Sequence, residues 1–198
     1  MKSQFWLLDP RPSLPTLVKA VGDGFALSEA SNSPVMLTMR IRSCHVTGSF
    51  QTRANQRPTL TVRDALSNPQ SDFARVVLPP MSYVHAQDKI KNRWPAAEKF
   101  ILDNQLNEFF GPATAPVGIV VQGGMFNGLI RALQRLGLAD LYGETDIPIY
   151  VLNVTYPLIS SEFLDFCQGK DHVLIVEEGQ PELIETQLGS FLYRAGSG

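Results

Sequence analysis

Cysteine is almost missing from this sequence: Cys44 and Cys167 are the only two, far apart and without CxxC spacing. That argues against a disulfide framework and against a zinc or iron–sulfur centre built from the chain's own thiolates. Reduced thiols make the cytoplasm the expected address. An excess of one charge is missing too. Lys and Arg number 17 against 19 Asp and Glu, the formal charge is −2, and no long basic run occurs. Nothing electrostatic therefore points to nucleic acid or to an anionic membrane as partner. No apolar stretch approaches the ~20 residues that span a bilayer. The N-terminus, MKSQFWLLDPRPS, lacks the long apolar segment and small-residue cleavage site of a signal peptide. There is no internal repeat and no low-complexity segment.

What is present is an ordinary globular composition, 44% hydrophobic and 18% charged over 198 residues, enough for one domain or one and a fraction. Three regions separate. In residues 1–50, Leu14, Leu17, Val18, Val21 and Phe25 recur at helical spacing behind Ser13 as a cap. "PVMLTMRI" (34–41) then reads as a strand. Residues 51–115 are polar and proline-punctuated at first and read as a connector. A charged helical stretch follows over 83–104, which Pro95 restarts or kinks. "NEFFGP" (107–112) reads as a short edge strand.

Residues 116–198 alternate strand and helix three times. The strands are "VGIVV" (117–121), "IPIYVLN" (147–153) and "HVLIVEE" (172–178). The helices are 125–136 with Gly137 behind it, 160–168 capped by Ser160, and a last one from about Pro181 to Arg194. Nearly continuous apolar strands imply a parallel sheet covered on both faces. In such a sheet, ligands bind past the carboxyl ends of the strands, where the winding reverses. The order two-one-three puts that point beside Gly123 and Gly124. The candidate crevice is therefore Gln122, Gly123, Gly124, Asn153, Thr155, Tyr156, Glu177 and Glu178.

Two readings of the glycine pair compete. One is close backbone approach to an anion at a helix N-terminus. The other, preferred because QGGMFNG is neither GxGxxG nor GxxxxGK[ST], is a tight strand-to-helix turn needing positive φ. Glu177 and Glu178 point to opposite faces of a strand, so they cannot work as one acid–base pair. A structural role, with one of them hydrogen-bonded to backbone N–H groups of a neighbouring loop, is preferred. Cys44 and His45 are adjacent and diverge on an extended chain, with no third group to orient them, so a Cys–His hydrolase is a minor reading. "GDG" (22–24) lies inside a helical pattern and is set aside as a metal or cofactor motif. His85 and His172 stand alone.

The strings "PVMLTMRIRSCH", "LPPMSYVHAQDKIKNRWPAAEKFI", "QGGMFNGLIRALQRLGLAD", "IPIYVLNVTYPLI" and "VLIVEEGQPELIE", in that order, resemble the large subunit of indolepyruvate:ferredoxin oxidoreductases. These are members of the 2-oxoacid:ferredoxin oxidoreductase family. "LNVTYPL" and "VEEGQPE" are the most specific of them. The resemblance implies oxidative decarboxylation of aryl 2-oxoacids such as indolepyruvate, with thiamine diphosphate, Mg, iron–sulfur clusters and coenzyme A, and ferredoxin as electron acceptor.

It also implies a fold. Residues 116–198 would be a three-layer α/β/α domain with a mostly parallel sheet, like the transketolase C-terminal domain, with the edge strand near Phe109 antiparallel. Residues 1–50 would be the helix–strand end of a pyrimidine-binding domain, and 51–115 the connector. The family's cofactor-binding GDG…N motif, its cysteine-rich cluster segment and its cofactor-activating Glu are not found here. The chain accordingly reads as an internal fragment, inactive alone, with no catalytic, cofactor-binding or metal-ligating residue of its own. Its expected partners are the remaining domains or subunits, ferredoxin for the whole enzyme, and further copies of itself through an unpaired strand edge at Val35–Ile41. The alternative is a stand-alone α/β module that holds a small anion or nucleotide in the crevice.

Overall fold

A computed structural model describes residues 5–55, 57, 61–69, 78–179 and 182–196. The fold is α/β, with two sheets. The larger runs β3 (Glu108–Phe110), β5 (Ile149–Leu152), β4 (Val117–Gln122), β7 (His172–Val176) in that spatial order. β5, β4 and β7 are parallel, and β3 is antiparallel on the edge. The reversal beside the glycine pair is thus where the sequence pattern put it.

Alternation along β4 decides the layers. Ile119 and Val121 face α6 (Phe126–Arg135) with Leu133. Val120 faces α7 (Ser160–Cys167) and α8 (Leu183–Ala195) with Phe163, Phe166, Ile184 and Leu188. β5 is buried throughout. β7 departs from the expectation of two covered faces: it is the edge strand, and although Val176 packs into the core on the α6 side, Leu174 is 56% exposed.

The second sheet was only half expected. It runs β2 (Val35–Leu37), β1 (Trp6–Leu8), β6 (Val154–Tyr156). β1 is parallel to β2 and antiparallel to β6. β2 stops at Leu37 and α2 (Ile41–Cys44) begins four residues later, so the strand expected over 34–41 is shorter than read. α1 (Leu14–Ser31) lies on this sheet. Ser13 caps it by accepting a hydrogen bond from the Thr16 N–H, and Asn32 ends it in the left-handed region at φ 46°. The GDG stretch is inside α1, as its helical pattern required.

The connector contributes α3 (Val62–Ser67), started by a Thr61–Asp64 capping box. α4 (Met81–Asp88) runs through a π-helical turn (Lys89–Arg93) into α5 (Trp94–Asp103). Pro95 has no N–H and its ring would clash with the preceding turn, and the widened turn accommodates both. α5 buries Ala97 and Ile101 in the core that also holds Trp6, Leu8, Leu27, Val154 and Tyr156.

β5 and β6 are one chain path, bent at Asn153, which carries the polypeptide from the large sheet into the small one. Two end signals differ from expectation. Ile159, not Ser160, occupies the N-cap of α7 and supplies no side-chain cap. The Pro181 start of the last helix lies outside the described residues. No helix among the described residues is long and apolar enough to cross a membrane.

Candidate functional site

The carboxyl ends of β4, β5 and β7 converge where the two sheets meet. The gap there is filled by the chain itself. After β1 the segment Asp9-Pro10-Arg11 runs on without regular structure to a bend at Pro12, its two prolines fixing φ and removing donors. It lies across the end of the large sheet as a strap. The Asp9 N–H donates to the Asn153 carbonyl at 2.8 Å, and the Arg11 N–H donates to Asn153 Oδ1 at 2.8 Å. Asn153 Nδ2 in turn donates to the Leu106 carbonyl and to Glu108 Oε2, both at 2.9 Å. Asn127 Nδ2 holds the Pro12 carbonyl at 3.1 Å. A single asparagine at the strand bend therefore ties together the strap, the end of the connector and edge strand β3.

Gly123 and Gly124 do turn β4 into α6, through a 3-10 turn over Gly123–Met125, but neither has positive φ, so that requirement of the turn reading is corrected. What requires glycine is space. A Cβ on Gly123 would overlap the Asp9 carbonyl oxygen and stand 2.7 Å from Asn153 Oδ1. A Cβ on Gly124 would overlap the Arg40 guanidinium and the Asp9 carboxylate. The pair does receive a close approach, and what approaches is the strap and an arginine.

Arg40 closes the site from the loop after β2. Its Nε and Nη2 donate to the two oxygens of Asp9 at 3.2 and 2.8 Å, and Asp9 is buried. Its Nη1 pairs with Glu178. Gln122 Oε1 accepts from both Arg40 Nη2, at 3.3 Å, and the Glu178 N–H, at 2.9 Å. The fork geometry of guanidinium suits two carboxylates and an amide at once.

Arg11 makes a second lock. Its Nε and Nη2 bind both oxygens of Glu108 at 3.0 Å, while the guanidinium lies 5.3 and 5.2 Å from the ring centres of Phe110 and Phe126. Burial disfavours the Glu108 carboxylate. Hydrogen bonds from Arg11 and Asn153, with the positive charges of Arg11 and Lys19, outweigh that burial and hold its carboxyl below the ordinary value.

Five of the expected crevice residues, Gln122, Gly123, Gly124, Asn153 and Glu178, are thus brought together. Three others are not. Tyr156 turns into the core of the small sheet, its ring 5.9 Å from Trp6 and 5.2 Å from Trp94. Thr155 reaches the Leu7 carbonyl. Glu177 points the other way from Glu178 and accepts the Ile184 and Glu185 N–H groups at 3.0–3.1 Å, capping α8 with a charge that suits a helix N-terminus. Asp9, Arg11, Arg40 and Glu108 were not singled out in the sequence, although "DPRP" behind an apolar run is a legible signal for a stiff strap.

Cys44 is exposed and Cys167 half-buried, and burial raises the Cys167 thiol. Among the described residues no three His, Cys, Asp or Glu side chains are grouped so as to hold a metal ion.

Comparison with known proteins places this geometry. Residues 107–198 match the family model described as an indolepyruvate oxidoreductase domain. The chain is 30% identical over 177 residues to indolepyruvate oxidoreductase subunit IorA of Methanothermobacter marburgensis, a match covering 87% of this chain and 26% of that protein. It is 29% identical over 185 residues to the same subunit of Methanothermobacter thermautotrophicus, covering 88% and 26%. Among solved structures, the 2-oxoglutarate:ferredoxin oxidoreductase of Magnetococcus marinus, with 2-oxoglutarate, coenzyme A and succinyl-CoA bound, aligns over 96% of this chain and 37% of that one. The TM-score is 0.58 and the identity 16%, a likeness of fold. The chain spans about a quarter of the length of the curated relatives it matches. The family resemblance read from the five motifs holds as a similarity: residues 107–198 match the indolepyruvate oxidoreductase domain, and the chain is similar to subunit IorA over most of its length.

Proposed function

We propose that this chain is a structural and subunit-contact segment of a thiamine-diphosphate-dependent enzyme that oxidatively decarboxylates aryl 2-oxoacids, indolepyruvate among them, and passes the electrons to ferredoxin. In that reading the segment aligns two sheets for domains that carry the chemistry, and it is inactive alone.

One observation carries the proposal. The residues that make the family resemblance specific are joinery. In "LNVTYPL", Asn153 anchors the strap, Val154–Tyr156 completes the small sheet, and Tyr156 packs on Trp94 of "NRWP". In "VEEGQPE", Glu177 caps α8 and Glu178 pairs with Arg40. Motif residues that bond one another within the chain favour an architectural role over a catalytic one.

Thiamine diphosphate, Mg and iron–sulfur clusters belong to the proposed whole enzyme. The residues of this chain do not fit them. The glycine pair that would cradle a diphosphate is covered by Asp9 and Arg40, and Cys44 and Cys167 stand on different elements. No catalytic step is assigned to this chain. The alternative, a stand-alone anion or nucleotide module, requires the strap to leave the crevice.

The test combines the purified chain with indolepyruvate, coenzyme A, thiamine diphosphate, Mg and a low-potential dye. No turnover is expected, and clear turnover overturns the proposal. Calorimetric titration with nucleotides is expected to give no heat of binding. A saturable signal that Gly124→Asp abolishes would favour the alternative.

A further inference from the structure

A groove of about 560 Å³ lies between α5, the loop that follows β6, and the helices α7 and α8. Its apolar lining comes from all four: Trp94 from α5, Leu158 from the loop, Leu164 from α7 and Phe191 from α8. Two charged side chains share the groove, Glu98 of α5 and Arg194 of α8. An apolar body with a few placed polar groups is the make-up of a site for a small organic molecule, and the volume suits one.

The walls are set before anything binds. Trp94 stands edge to face against Trp6 and Tyr156, with ring centres 5.6 and 5.2 Å apart. Its Nε1 donates to Glu98 Oε1 at 2.8 Å. Leu158 is buried, and Phe191 packs on the core of the large sheet. Little ordering cost therefore remains for a ligand to meet. Trp94 belongs to the core of the small sheet, so a molecule in the groove touches both halves of the fold.

The charges choose the ligand. Among the described residues the Arg194 side chain has no hydrogen-bond or ion-pair partner. A cation in the last turn of α8 suits the helix dipole, but that leaves its planar fork open, and the fork matches a carboxylate. Glu98 acts against excess charge. Its carboxylate in the same groove repels a second negative charge on the ligand, which disfavours nucleotides and other polyanions and tolerates a single carboxylate. Indole and phenyl walls favour an aromatic body. We infer that this groove is a binding site for an aromatic monocarboxylate, its ring against Trp94, Leu164 and Phe191 and its carboxylate on Arg194. The inference goes beyond the structural role and does not rest on it: turnover tests that role, and equilibrium binding tests this site.

The experiment is equilibrium dialysis of the full chain against phenylpropionate, with intrinsic tryptophan fluorescence as a second readout. Saturable binding is expected, with Kd on the order of 1 mM or below. Phenylpropionamide, which keeps the ring and loses the charge, should bind about tenfold more weakly. Arg194→Gln should bring the carboxylate down to the level of the amide and leave the amide unchanged. Its thermal midpoint should match wild type, because Arg194 is exposed. Glu98→Gln keeps an oxygen for the Trp94 indole. It should tighten phenylpropionate about threefold and admit phenylphosphate, which wild type rejects. No saturable binding of phenylpropionate up to about 10 mM overturns the inference. So does binding that Arg194→Gln leaves intact, which would put the anion elsewhere, or an amide that binds as tightly as the acid. Equal uptake of phenylphosphate by wild type and Glu98→Gln overturns the selection for a single charge.

Discussion

The large and small sheets are held in opposite ways. The large one is enclosed: α6 covers one face, α7 and α8 the other, and β4 and β5 at its centre are almost wholly buried. The small one is composite. Its three strands come from residues near 7, 36 and 155, and each is three residues long. Its cover is α1 with α5 of the connector, and Val18, Val21, Phe25 and Met36 remain exposed around β2. The large sheet therefore draws its stability from local burial. The small one, besides its own core around Trp6, depends on the polar junction that fixes the strap against Gly123, Gly124 and Asn153.

That comparison fails if injuries to the junction melt both sheets together. It is sharpened if they release the small sheet first. Gly123→Val should have the largest effect, because the added carbons overlap the Asp9 carbonyl. A loss of about 3 kcal/mol is expected. Hydrogen exchange should show it in β1 and β6, with β4 still protected. Unchanged exchange in β1 would contradict the dependence.

Asp9→Ala comes next, at about 2 kcal/mol, since it leaves the Arg40 guanidinium partly buried without its inner carboxylate. Urea unfolding should show Asp9→Ala/Arg40→Met recovering part of that loss, because the double variant no longer strands a charge.

Acid gives a graded version. The folded Glu108 carboxyl titrates below its ordinary value of 4.5. Its contribution is therefore complete above pH 4.5 and is lost as pH falls through the lower folded value. Thermal midpoints of wild type and Glu108→Gln should differ at neutral pH and converge on acidification through that window.

The smallest effect belongs to Glu178→Gln. Glu178 binds the same arginine as Asp9 but its side chain is 63% exposed, so water already competes for it. A change of at most about 0.5 kcal/mol in urea is expected.

How much could be read in the sequence follows the same division. β4, α6, β5, α7 and β7 carry long apolar patterns set by their own neighbours, and they appear within a residue or two of where periodicity puts them. The antiparallel edge at Phe109 came from the family resemblance and pairs as implied. β1 and β6 are too short for any period to show, and their partners lie far off in the sequence: Leu7 pairs with Tyr156. The glycine pair was found, but its reason was not. A glycine's need for space is set by what approaches it, here Asp9 and Arg40, and no spacing rule links positions 9, 40 and 124. Glu177 and Glu178 were separable because neighbours on an extended chain point to opposite sides, which holds here although β7 itself ends at Val176.

The bend at Asn153 has a mechanical consequence. Because β5 runs into β6 without a loop, the two sheets share one continuous backbone, with Asp9 and Arg11 hydrogen-bonded across the corner. A corner braced in this way resists opening. A displacement of one sheet is therefore expected to carry the other with it.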